Sequence, residues 1–427
     1  MIPLFPVTSV GVTAGASAGV VDNVAEIRSD DGSVSRRGAV FEGLNATLSF
    51  RSQNARGDTL TLFTNARGQY FTRFDGQGSD ITGTASITGA GRLRLGAFTQ
   101  AEVQFSSNIS QAISQRTGDG ALAQRLDPLS LNTTYTYSDV SATIYQELAK
   151  FWRLTASTGV TVTTVIDAPP ILLGNGLQLD RRGIDGVAWN NRVSLIRTLD
   201  ARSSGDVAVT YRKLSAPYSI DAFSVPPRIG PPQDVHQLTL DVGYTRALTD
   251  QWQSLSRAGV SATTPAVADP DQRPNVFPVL SQVFNYVEDR YYATIGANLS
   301  YSAIVPRLGT GPLFTATAGL AGQPFTERKW KNTVFAFSAS ATYSSTDSIA
   351  GQSYSIFGAG ATLEARYPFT RILAAHAGVD SFVSRSDSNQ PNVDAIVSVR
   401  NTVFVGISGY WSNDGAPIPL NGRTIPR

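Results

Sequence analysis

The chain has 427 residues, no cysteine and a formal charge of +2, from 35 Lys plus Arg and 33 Asp plus Glu. The missing thiols exclude a disulfide scaffold, a thiolate zinc site and a cysteine nucleophile. The near-neutral balance leaves no basic stripe for nucleic acid. Hydrophobic residues make up 41%, too many for wholesale disorder, and charged residues 16%, well below the roughly 25% of typical soluble domains.

The opening run Met1 to Val21 is uncharged, but Pro3, Pro6 and many small residues make it a poor membrane helix. It also lacks the basic start of a secretory signal. It alternates instead: Val10, Val12, Ala14, Ala16, Ala18 and Val20 lie on one face of a strand, with Ser9, Gly11, Thr13, Gly15, Ser17 and Gly19 on the other. The same period recurs along the chain. Leu44, Ala46, Leu48 and Phe50 oppose Asn45, Thr47, Ser49 and Arg51. Ala101, Val103, Phe105 and Ile109 oppose Gln100, Glu102, Gln104 and Asn108. Further on, Leu238, Leu240 and Val242 oppose Gln237, Thr239 and Asp241, and Ala361, Leu363 and Ala365 oppose Thr362, Glu364 and Arg366.

Strands are predicted near 8–20, 40–51, 59–73, 81–92, 98–110, 131–147, 153–165, 186–197, 204–213, 236–246, 253–263, 276–287, 291–303, 312–321, 332–345, 353–366, 371–384 and 393–411. The range is 16 to 18 strands, with 18 preferred. Splitting the last at Arg400-Asn401-Thr402 would give an odd number and a parallel seam. These strands are longer than the 5 or 6 residues usual in globular proteins and suit a tilted membrane crossing. Aromatics such as Tyr291 and Tyr301, or Phe335 and Tyr343, bracket apolar faces with small residues between them, as in an outward band between two aromatic girdles. Mid-strand charges on the other face cost little in a wet lumen, but facing lipid they would cost about 2–4 kcal/mol each.

Tight links (Arg92 to Ala97, Ala149 to Trp152, Thr198 to Arg202, Ala247 to Gln251, Tyr367 to Arg371) alternate with long polar ones. The long links are Asp22 to Gly38, Gln111 to Ser130, Asp167 to Asp185, Leu214 to Asp234 and Thr264 to Pro278. Pro226, Pro227, Pro231 and Pro232 should stiffen one of them. The expected fold is therefore all-β: a closed antiparallel transmembrane barrel spanning residues 1–411, with a C-terminal tail at 412–427. A soluble sandwich is the alternative, but it would want shorter strands and larger core aliphatics.

The alternation phase assigns Arg51, Arg67, Arg73, Glu102, Arg192, Asp241, Glu364, Arg366, His376 and Asp380 to the lumen as pore-lining groups. No enzyme is expected. Gly15-Ala16-Ser17-Ala18-Gly19 matches a nucleophile elbow in spelling, but it sits inside a strand with no helix after it. Two histidines, His236 and His376, give no zinc or haem spacing. Acidic turns such as Asp30-Asp31-Gly32 and Asp269-Pro270-Asp271 read as solvated loops before calcium sites. No cofactor or metal is expected.

A first strand ending in Asp22-Asn23, a long loop, and hairpins turning through Arg246-Ala-Leu-Thr-Asp250 and Arg366-Tyr-Pro-Phe-Thr-Arg371 complete the pattern. It resembles the proteobacterial outer-membrane β-barrel proteins found with exopolysaccharide export and related surface systems. The resemblance implies location in the bacterial outer membrane and a passive conduit for polar solute or exported polysaccharide. The implied partners are outer-membrane lipid and lipopolysaccharide, with a periplasmic or surface protein as a further candidate and no nucleic acid. The alternative function is a plugged structural barrel that anchors or sheathes a surface or electron-transfer complex.

Overall fold

Strands with one apolar and one polar face, with no helix among the described residues to cover them, need closure to serve every backbone N–H and C=O. The computed structural model shows that closure. It describes residues 7–28, 34–73, 79–111, 134–167, 171–172, 178–179, 186–216, 219–221, 228–230, 233–264, 275–305, 309–327, 330, 332–347, 353–370, 372–388 and 396–413. The wall strands are β1 (Val7–Arg28), β2 (Val34–Gln53), β3 (Thr59–Arg73), β4 (Ser79–Arg94), β5 (Thr99–Gln111), β6 (Thr134–Ala149), β7 (Trp152–Asp167), β8 (Gly186–Asp200) and β9 (Ser203–Ala216). They continue with β10 (Gln233–Ala247), β11 (Trp252–Thr264), β12 (Asn275–Glu288), β13 (Tyr291–Val305), β14 (Gly309–Gly322), β15 (Val334–Asp347), β16 (Ser353–Pro368), β17 (Leu373–Ser388) and β18 (Ile396–Ser412).

Each strand pairs antiparallel with the next, and β1 pairs with β18, so the 18-stranded sheet is a closed ring. The predicted count of 18 holds. Two short ribbons, Ile171–Leu172 with Gln178–Leu179 and Ser219–Asp221 with Arg228–Gly230, stand within connections. The four prolines expected to stiffen one loop lie outside the described residues, as does the tail beyond Asn413.

The strand ends differ from the sequence reading. The polar run Asp22 to Gly38 reads as loop, yet the β1–β2 ladder continues past a register shift at Val21/Ala25 to Arg28 opposite Val34. Leu214 to Ala216 belong to β9, and Asn275 to Pro278 belong to β12. The alternation signal stops where hydrocarbon stops. Backbone pairing goes on into water, where both faces can be polar. Arg400-Asn401-Thr402 does not turn but stays inside β18.

The seam between first and last strands is pinned at both ends. On the short-turn side, Val10 N donates to Asn413 Oδ1 at 2.8 Å. At the other end Asn401 donates to the Asp22 carboxylate from its backbone N and its Nδ2, both at 2.6 Å, and Ser381 Oγ donates to Asn401 Oδ1. Short turns such as 150–151, 201–202 and 289–290 share one rim with the start of β1 and the end of β18, and the long links share the other.

Exposed apolar side chains stud the outside, among them Leu44, Leu240, Val242, Ile295, Leu363 and Val405. Trp152, Tyr244, Trp252 and Trp411 mark the short-turn edge of this belt, and Tyr70, Phe314, Tyr343 and Phe357 the long-loop edge. The Arg197 guanidinium lies 5.2 Å from the Trp152 ring centroid at that first edge. The outward Gln282 breaks the apolar run, but it donates to Ser254 and accepts from Ser256 at 2.9 and 2.6 Å. Lipid cannot solvate an amide, so the wall satisfies it locally.

The turn joining β2 and β3 clamps the adjacent hairpin. Asn54 Oδ1 accepts the N–H groups of Arg56 and Asp58, and Gly57 adopts φ +81°, open to glycine without steric cost. Asp58 accepts from Arg94 N at 2.7 Å and from Asn54 Nδ2 at 2.8 Å. These bonds, the Arg94 one first, hold its carboxyl below the ordinary carboxylate range. A lowered folded value means the stabilisation is present above the unfolded value, near pH 4, and is lost as pH falls through the folded one. Asp58→Asn is therefore expected to flatten the loss of barrel stability on acidification below about pH 4, read from urea midpoints. An unchanged acid limb would contradict this.

Candidate functional site

The lumenal wall is the candidate functional surface, and the register decides what meets there. On β8 to β11 the inward positions carry Arg192, Asp206, Asp241 and Arg257, one per strand. Arg192 Nη1 and Nη2 each lie 3.2 Å from the Asp241 carboxylate, a bidentate pair, and Nη1 also donates to Thr210 at 3.0 Å. Arg257 Nη2 donates to both Asp206 oxygens at 3.2 and 3.0 Å, and its Nη1 donates to Asp241. Arg192 stands 3.8 Å from Asp206. Gly243, directly opposite Asp206, makes this crossing feasible: a Cβ there would collide with Asp206 Oδ1.

Burial is uneven within the four. Asp241 is 3% exposed and Asp206 16%, whereas Arg192 and Arg257 are 34% and 33% exposed. The arginine side chains are therefore the more accessible partners and the carboxylates the less accessible ones. The group is neutral in sum, and the Nη atoms of both arginines are engaged with the two acids and Thr210.

The other predicted lining residues fall as follows. Arg51 and Arg67 are on the inward faces of β2 and β3, the first exposed near the short turns and the second half-buried. The side chain of Arg73 lies outside the described residues. Glu102 faces inward on β5 and pairs with Arg92 at 3.0 Å. Glu364 and Arg366 face inward on β16, where Arg366 donates to Ser408 at 3.1 Å and stands opposite His376 of β17. The His376 ring lies 6.2 Å from Phe404, and Asp380 accepts from Thr362 at 2.6 Å. Sequence reasoning missed Asp206, Arg257 and Arg92. Their alternation phase already placed them inward, but no local signal says which charges are neighbours.

Accessibility along the lumen is graded. Toward the long-loop rim, Val21, Ala39, Phe41, Phe71 and Phe404 form a buried cluster on the inward face, with the Phe41 and Phe71 rings 5.7 Å apart. Toward the short-turn rim, Arg51, Arg92, Glu147 and Arg153 are exposed. Among the described residues no group of three or more His, Asp or Glu converges as metal ligands would.

A closed sheet with a hydrocarbon-like outside and a charged inside is matched only to a membrane, and bacterial single-chain barrels have an even number of strands, as here. The chain is a bacterial outer-membrane β-barrel.

No family model matches the chain, and no curated protein matches its sequence. Solved structures match at the level of fold. Pseudomonas aeruginosa OccK7 (OpdD) shares 10% identity over 95% of this chain and 99% of its own, with a TM-score of 0.45. Pseudomonas aeruginosa OpdK, solved with vanillate, shares 11% over 95% and 99%, with a TM-score of 0.42. The siderophore receptor PirA from Acinetobacter baumannii shares 7% over 93% of this chain and 80% of its own, also at 0.42.

Proposed function

We propose that the barrel is a passive channel for small polar solutes with a mild preference for anions. The burial order at Arg192, Asp206, Asp241 and Arg257 carries this reading. A solute passing β8 to β11 meets guanidinium faces, while the carboxylates behind them are screened from it. Those same carboxylates hold the local charge at zero. An anion is attracted without being trapped, and conduction requires that balance between entry and release.

Planar-bilayer recording tests this. Arg257→Gln combined with Asp206→Asn removes one charge of each sign and leaves the net charge unchanged. The reversal potential in a salt gradient is nevertheless expected to move toward cations, because the lost cation was the exposed partner. A folded double variant with unaltered selectivity would remove the cluster from the path. Export of polysaccharide is the wider-cargo form of the same reading, and exclusion of sized polysaccharides by channel-bearing vesicles separates the two.

The second reading is a plugged anchor. It draws on the near-complete burial of Phe41, Phe71 and Phe404 on an inward face. A correctly folded barrel that carries no current would favour it.

A further inference from the structure

Glu42 stands on the outward face of β2, between Val40 and Leu44, in a row that continues through Ala46 and Leu48. The register sets it opposite Ala18 of β1 and Tyr70 of β3, whose ring belongs to the long-loop edge of the apolar belt. All of these side chains are exposed on the outside of the barrel. Other outward polar groups are satisfied by neighbours. Gln282 is bonded to Ser254 and Ser256, and Asn191 accepts from Thr158 at 2.8 Å. Among the described residues the Glu42 carboxylate has no ion pair and no hydrogen bond.

The surface beside Glu42 is concave. Ala16 and Ala18 form its floor, flanked by Leu44 and Glu42 on β2 and by Ile407 and Val405 on β18. Two methyl side chains between rows of larger ones leave a groove of about 760 Å³, to which Tyr70 and Ile81 also contribute. Leu44 and Ile81 keep 70% of their surface exposed there. An apolar groove with a carboxylate at its girdle end suits an aliphatic chain that carries a hydrogen-bond donor near its head.

We propose that this groove binds an acyl chain of lipopolysaccharide, with the Glu42 carboxylate accepting from the chain's 3-hydroxyl. The inference rests on the outer-membrane placement, in which the long-loop rim faces outward. An ionisable side chain at membrane depth marks a site, because hydrocarbon cannot solvate it. Glu42 lies one outward position below Val40 and in register with Tyr70, so it meets the first carbons of the lipid chains and not the headgroups. At that depth the ester-linked chains of a phospholipid offer only acceptors, which a carboxylate cannot use. A 3-hydroxyacyl chain offers a donor, and a hydroxyl donating to a carboxylate makes a short, strong bond.

Native mass spectrometry of the folded barrel in detergent tests this with two synthetic probes. One is glucosamine 1-phosphate carrying two 3-hydroxymyristoyl chains, and the other is the same molecule carrying plain myristoyl chains. The barrel is expected to hold the hydroxylated probe roughly tenfold more tightly. Glu42→Leu should erase that difference, and Ala18→Phe should weaken both probes by filling the floor. The first change removes a charge from the lipid face and the second adds an apolar group to it, so neither threatens folding, which heat-modifiable gel mobility checks. Equal affinities in the unaltered barrel overturn the proposal, as does a hydroxyl preference that survives Glu42→Leu. Displacement of the hydroxylated probe by an equal concentration of phosphatidylethanolamine would assign the groove to phospholipid and overturn it too. So would a dimer that forms without lipid and is lost in Glu42→Leu, which would give the groove to a second copy of this chain.

Discussion

Arginine introduced at Ala339 is expected to destabilise the barrel by about 2–4 kcal/mol, and arginine at Ser338 by less than about 1 kcal/mol. The two positions are adjacent on β15 and differ only in the side of the wall they face. Ala339 stands between Ala318 and Ala361 on the outside, near the middle of its strand, while Ser338 is exposed to the lumen. A guanidinium at the first position must be dragged through hydrocarbon or snorkel out of it. At the second it meets water. Denaturant unfolding from lipid vesicles measures both. Equal costs would show that the two faces do not see different solvents, and the membrane reading would fall with that result.

Asp241→Ala is expected to be the most damaging single change in the lumen. The carboxylate is almost fully buried and accepts from two guanidiniums at once. Its removal leaves two cations facing each other with one acid between them. Breaking a buried pair costs about 3–5 kcal/mol, and the lower end applies here because each arginine is a third exposed to water. The neutral pair Asp241→Asn with Arg192→Gln should cost less than the single truncation, since no charge is left uncompensated. Urea midpoints of the three proteins decide it. A double variant as unstable as Asp241→Ala would mean that the uncompensated charge is not what costs the stability.

Much of the architecture was legible because it is written in one dimension. The phase of apolar and polar residues along a strand says which solvent each side meets, and this identifies strand and facing without reference to any partner. The misplaced ends show the limit of the same signal. At Asp22 to Gly38 the pattern loses its apolar half when the chain leaves the bilayer, although the ladder does not end there. Asn401 could be suspected as a turn residue because its partner, Asp22, is 379 positions away.

Alternation along the chain was enough to show that it crosses a membrane as β-strands, about how many times, and which residues look inward. Period-two burial is a property of each segment alone. The folded barrel alone shows that Arg257 meets Asp206 across 51 residues, and that these acids are less exposed than their arginines. It also shows that Phe325 meets Phe335 and that Trp330 meets Tyr367. Those facts depend on the register between strands and on closure of the ring, which fix neighbours that no local pattern encodes.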